Sequence, residues 1–184
     1  MKWTIPGTQL QIQREEAENI QTIFSAMFLA GGMVLSQVSN LTGLEPYTVQ
    51  NWVKRGLLSP PVRKRYSLRQ LCRIVNINML KGVLPMERIC GMLSYINGQL
   101  DDESDDIIDD FDLYLYFIEA ISKLQKPVAD EEYIAKHIEA VISDFKEPFP
   151  GAKRRLQKVL AVMLNAYLSA TLRKRADEIL STLD

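Results

Sequence analysis

The placing of glycine and proline between residues 36 and 85 constrains this chain more than any other feature. Gly43, Pro46, Gly56, Pro60-Pro61, Gly82 and Pro85 leave no room there for a long helix. Gly43 suits the left-handed backbone that ends a short helix over 36–41. Pro46 suits the first turn of a second helix, which runs to Arg55 and stops at Gly56. Pro60-Pro61 forbids helix and starts an extended passage through Val62 to Tyr66. Ser67-Leu68-Arg69-Gln70 has the capping-box pattern, in which the Ser and Gln side chains satisfy each other's backbone N–H groups, so a helix begins there and continues to about Leu80. Gly82 breaks it, and Pro85 opens another that carries Ile89, Met92, Leu93 and Ile96. Two short helices joined at Thr42-Gly43-Leu44 and followed by an extended loop have the layout of a helix-turn-helix with a wing.

The second of these helices has two different faces. Val49, Trp52 and Val53 fall at i, i+3 and i+4 and point inward. Tyr47, Gln50, Asn51 and Lys54 fall on the opposite side. Gln and Asn each match the donor and acceptor pair on the major-groove edge of adenine, while Tyr and Lys reach phosphates or base edges. Ser36, Thr48 and Arg55 border this stripe. The loop that follows holds Arg63-Lys64-Arg65-Tyr66, three cations with no anion nearby in sequence, which suits contact with a sugar-phosphate backbone. The candidate DNA-binding residues are therefore Ser36, Tyr47, Thr48, Gln50, Asn51, Lys54, Arg55, Arg63, Lys64, Arg65 and Tyr66.

Charge is segregated along the chain. The formal net charge is −1, yet residues 36–91 hold nine cations against Glu45 and Glu87. Residues 101–112 then hold eight carboxylates and no cation. A basic block of this kind marks a polyanion partner. For the acidic tract two readings stand: a solvated linker or carboxylate-rich helix start, or a segment that folds over the basic wing and competes with DNA. Lys153, Arg154, Arg155 and Lys158 crowd the start of the last helix, where the helix dipole disfavours them, so they either pair with the acidic tract, the favoured reading, or touch phosphate.

Helix signals dominate elsewhere, and no strand is expected outside the wing. An amphipathic helix is predicted over 14–29, with Ile20, Ile23, Phe24, Met27 and Phe28 on one face. Three more are predicted over 109–124, 130–146 and 151–183. The last is apolar around most of its circumference between Leu156 and Leu172, which calls for a bundle centre or a subunit interface. The expected fold is all-α: a winged helix-turn-helix head in residues 1–98, then an acidic linker and C-terminal helical bundle in 99–184.

Two cysteines and one histidine give neither a disulfide framework nor a zinc site, and no metal or other cofactor is expected. No nucleophile–base pair, P-loop or dinucleotide fingerprint points to an enzyme. The apolar run 159–172 is too short to span a bilayer, and residues 14–18 do not read as a signal peptide, so a cytoplasmic location without membrane contact is expected. The aromatic residues of the C-terminal part read as core, leaving a small-molecule effector without particular support.

Several stretches resemble the mercury-resistance-regulator (MerR) family. Leu35-Ser36-Gln37-Val38-Ser39-Asn40-Leu41-Thr42-Gly43-Leu44 is similar to that family's opening helix and turn. Lys54-Arg55-Gly56-Leu57-Leu58-Ser59-Pro60-Pro61 is similar to its passage into the wing. Tyr66-Ser67-Leu68-Arg69-Gln70-Leu71 is similar to its third helix, and Gly82-Val83-Leu84-Pro85-Met86-Glu87-Arg88-Ile89 to the turn into its fourth. Gln50-Asn51-Trp52 stands where such regulators commonly carry Arg-Tyr-Tyr, and Lys64 replaces the usual wing arginine, so the resemblance implies its own base preference. With an acidic tract and a helical domain in place of the long dimerising helix, the layout resembles a bacterial domain-of-unknown-function family with a MerR-like head. The resemblance implies a transcriptional regulator that binds double-stranded DNA as a homodimer. Two alternatives remain: a protein-interaction adaptor whose head has lost DNA binding, and an excisionase-type accessory factor.

Overall fold

The computed structural model describes residues 2–98, 100, 104–125 and 130–183. Asp101, Asp102 and Glu103 of the acidic tract lie outside the described residues. The chain is mostly helical, and its buried side chains form one continuous core from Ile5 to Ala166. Residues on both sides of the expected boundary at 98/99 contribute to that core.

The N-terminus departs from expectation. Lys2–Thr4 (β1) and Gln11–Gln13 (β2) form an antiparallel hairpin in which Trp3 faces Ile12. Its turn is Ile5-Pro6-Gly7-Thr8, closed by Thr8 N donating to the Ile5 carbonyl at 3.0 Å. Gly7 takes a φ of +76°, and a Cβ there would strike the backbone of Val75. Only glycine tolerates both conditions without cost. Each strand is three residues long, too short to reveal itself by alternation, although Pro-Gly is a turn signal.

The predicted helix over 14–29 starts as a 3₁₀ helix, Arg14–Asn19, and continues as α1, Ile20–Met27, with Ile20 and Phe24 buried. Met33–Val34 (β3) then leads into α2, Leu35–Thr42, and α3, Pro46–Lys54. Arg65–Tyr66 (β4) pairs antiparallel with β3, placing Met33 opposite Tyr66. The remaining helices are α4 (Leu68–Leu80), α5 (Met86–Asn97), α6 (Asp110–Ser122), α7 (Glu131–Val141) and α8 (Ala152–Leu180). Among the described residues no helix is long and apolar enough to cross a membrane.

Helix α4 lies at the centre. Its residues 70–77 are all buried, and it packs against α2, α5, α6 and α8. Three polar side chains, Gln70, Arg73 and Asn76, are therefore trapped with the apolar ones. Arg73 donates from Nε to the Leu57 carbonyl at 3.1 Å and lies 3.4 Å from the Asp110 carboxylate. Asn76 donates to the Asp110 carbonyl at 3.4 Å.

Within the described part of the acidic tract, Asp106, Asp109 and Asp110 are docked against α4 rather than the wing. Arg69 reaches Asp106 at 2.5 Å and Asp109 at 3.6 Å. Asp109 also caps α6 by accepting from Phe111 N at 2.6 Å, as a carboxylate-rich helix start would. The cations at the start of α8 do not pair with the described part of the tract: Arg155 lies 4.1 Å over the Tyr95 ring instead.

Burial holds the Asp110 carboxyl above the usual carboxylate range, against the pull of Arg73 and then Arg69. Removing one partner of a buried pair strands the other charge, a loss of about 3–5 kcal/mol. Asp110→Ala is expected to destabilise the fold by about that much in urea denaturation. A change below about 1 kcal/mol, the scale of an exposed pair, would contradict a structural role for the pair.

Candidate nucleic-acid interface

The turn between α2 and α3 is built from local chemistry. Gly43 sits at φ +70° and donates its N–H to Ser39 O at 2.8 Å, closing α2. Thr42 Oγ1 donates to Val38 O at 2.7 Å and accepts from Leu44 N at 3.3 Å. Leu44 is thereby turned inward, and Pro46 occupies the first turn of α3, where its missing N–H costs nothing.

On α3, Val49 and Trp52 are buried, which leaves the expected stripe outside. Tyr47 is 70 % exposed, a large area for an aromatic ring to offer water without a partner. Gln50, Asn51 and Lys54 are exposed beside it, and Ser36 is exposed at the start of α2. Thr48 is half-buried. Arg55 is exposed just past the end of α3, with Glu87 at 3.9 Å.

The wing is a tight hairpin. Arg65 N donates to Val62 O at 2.9 Å, with Arg63 and Lys64 as the two central residues at φ +50° and +63°. Left-handed backbone at both central positions fits the twist of the flanking strands, and Asn-Gly is the sequence that adopts it most readily. Here two long cationic side chains occupy it, both exposed. Strain of this kind persists only where surrounding structure imposes it, and it concentrates at functional sites. Among the described residues no carboxylate pairs with Lys54, Arg63, Lys64 or Arg65.

Tyr66 corrects the expected set. It is only 3 % exposed, and its phenol is held above the ordinary range by burial. Residues alternate sides along an extended chain, so Arg65 outward puts Tyr66 inward. Arg65 also braces the wing by donating from its guanidinium to Gly32 O at 2.9 Å.

Two positioning residues escaped the sequence reading. Gln70 was legible as half of a capping box, and Ser67 N does donate to its Oε1 at 2.8 Å. Its amide Nε2 also donates to the carbonyls of Ser59 at 2.9 Å and Pro60 at 3.1 Å, clamping the passage into the wing. Asn78 Nδ2 donates at 2.9 Å both to Thr42 O, at the end of α2, and to Gly7 O in the N-terminal turn. No local pattern marks either clamp, because the acceptors are distant in sequence.

The family described as "Domain of unknown function (DUF1836)" matches residues 19–117, more than half of the chain. The chain belongs to this family. The DUF1836 unit spans α2, α3, the 62–65 hairpin, α4, α5 and the first part of α6, and so contains both Arg73 and Asp110. The expectation of a domain-of-unknown-function family is met. The chain is also similar to "Uncharacterized protein YkrK" of Bacillus subtilis (strain 168), at 26 % identity over 161 residues covering 79 % of this chain and 69 % of that one. No solved structure matches.

Replacing Arg63-Lys64 by Asn-Gly is expected to stabilise the fold by about 1–2 kcal/mol in urea denaturation, because it relieves two left-handed non-glycine residues. An unchanged or lower midpoint would mean that the turn is not strained.

Proposed function

We propose that this DUF1836 chain is a transcriptional regulator that binds duplex DNA, with α3 in the major groove and the wing along the phosphate backbone. The observation that carries the reading is the wing tip. Two unpaired cations stand on a backbone geometry that costs free energy, so selection for charge at that point outweighs selection for stability. The α3 stripe supports it: Tyr47, Gln50, Asn51 and Lys54 are exposed together on one helix face, one turn from a compact helix-turn-helix. The likeness of residues 34–93 to MerR-type regulators points the same way. Within this reading Ser36, Arg55 and Arg65 contact phosphate, while Gln50 and Asn51 read bases.

A homodimer completes the proposal. Helix α8 extends beyond the core, and residues 171–183 are all exposed. Val162, Ser169, Leu172, Ala176 and Ile179 lie along that helix at the seven-, three- and four-residue spacings of a coiled-coil seam. Leu172 is 48 % exposed and Ile179 58 %, so this stripe lacks a partner within one chain. A second copy pairing through it would set two heads on two half-sites.

The test is selection of bound sequences from a random duplex library, with an enriched inverted repeat expected. A salt titration of the enriched site should give a log–log slope of about −5 for about six phosphate contacts. Arg63→Asn with Lys64→Gly should flatten that slope by about 2, so the variant gains stability and loses affinity together. Gln50→Ala should relax base preference at one position, at about 1–3 kcal/mol. Leu172→Lys with Ile179→Lys should yield monomers in sedimentation. Absence of any enriched sequence, together with salt-independent binding, would sink the reading and favour the adaptor alternative.

A further inference from the structure

A cavity of about 890 Å³ opens between the start of α1, residues 106–109, the outer face of α6 and the turn after α7. Six carboxylates line it, Glu18, Asp106, Asp109, Asp112, Glu119 and Asp144, against three cations, Arg69, Lys123 and Lys146. Two of those cations are engaged: Lys123 with Glu119 at 2.5 Å, and Arg69 with Asp106 and Asp109. The rest of the lining is therefore short of positive charge.

Asp106 makes that shortage specific. Its side chain is 10 % exposed, and Arg69 holds only its Oδ2, while Oδ1 is buried without a hydrogen-bond partner. A buried acceptor left in this state is costly. Burial pushes its carboxyl up to about 6 despite Arg69. On the opposite wall the Tyr116 and Phe145 rings meet edge to face at 6.3 Å, and the Tyr116 hydroxyl donates to Asp144 at 2.9 Å. Those rings offer faces to a cation and apolar area to a methylene chain.

The carboxylates are spread along the cavity rather than gathered. Among the described residues no group of three or more His, Cys, Asp and Glu side chains is placed to hold a metal ion. Charge that is dispersed and interleaved with apolar wall matches a ligand whose own positive charges are spaced by methylenes.

We propose that this cavity binds a linear organic polycation of the polyamine class, its ammonium groups on Asp106, Asp112 and Asp144 and its methylenes along Tyr116 and Phe145. The site stands independently of the DNA reading. Its test uses no DNA, so either can fail without the other.

The experiment is calorimetric titration of the full chain with spermidine at low salt, beside Asp112→Asn combined with Asp144→Asn. Both substituted residues are exposed, so the variant should fold, with circular dichroism to verify it. Saturable binding of one spermidine per chain is expected, weakened about tenfold or more in the variant, the scale of one lost hydrogen bond to a charged group. Magnesium at equal charge concentration should not displace it, and the NMR signals of the Tyr116 and Phe145 rings should shift. No saturable binding, equal affinity in the variant, or equal displacement by magnesium would each overturn the proposal.

Discussion

The α2–α3 end of this molecule is tied to its C-terminal bundle through one buried cation, Arg73. The Arg73 guanidinium leaves water at considerable cost, and only specific acceptors offset that cost. It finds them on two separate pieces of chain: the Leu57 carbonyl, just beyond α3, and the Asp110 carboxylate, at the start of α6. The exit of α3 and the beginning of α6 are therefore fixed to the same side chain of α4. An apolar contact would tolerate sliding between these parts, whereas a directional ionic contact in a dry interior fixes their register. The head cannot be treated as a module hung on a linker.

The sequence made the local half of this legible. Gly43, Pro46 and Ser67 each act within a few residues of themselves, and the chain turns, starts and caps where they indicate. Trp52 was readable as core because Val49 and Val53 share its side of the helix. The non-local half was hidden. The eight carboxylates of 101–112 look like a linker in one dimension, since Arg69 and Arg73, the partners of Asp106, Asp109 and Asp110, come more than thirty residues earlier. Tyr66 was grouped with its cationic neighbours because charge counting ignores the alternation of an extended chain. Charge counting marked the cations, while burial removed Tyr66 and Arg73 from the exposed set.

The segregation of charge also takes a different meaning in three dimensions. The nine cations of 36–91 do not act as a block. Arg73 is internal, and Arg69 is spent on the acidic tract, which leaves Lys54, Arg55, Arg63, Lys64, Arg65, Lys81 and Arg88 as the outward set. The acidic tract, in turn, neutralises the back of α4 and furnishes one wall of a negatively charged cavity. The described carboxylates thus meet Arg69 and Arg73 of α4, while Arg63 and Lys64 stay exposed on the hairpin.

The first dozen residues have a role that their position conceals. Gln9 N donates to Leu41 O, Gly7 O accepts from Asn78, Pro6 O accepts from Tyr114, and Trp3 donates to the Tyr167 hydroxyl. The spans of the last three, 71, 108 and 164 residues, grow steadily toward the chain start. Closing such loops costs entropy that is recovered only once the distant partners are in place. Residues 3–9 can therefore dock fully only after partners as far along as Tyr167 are in place. That docking holds the end of α2 through Gln9 and Asn78, so the setting of the α2–α3 pair depends on contacts from well beyond it.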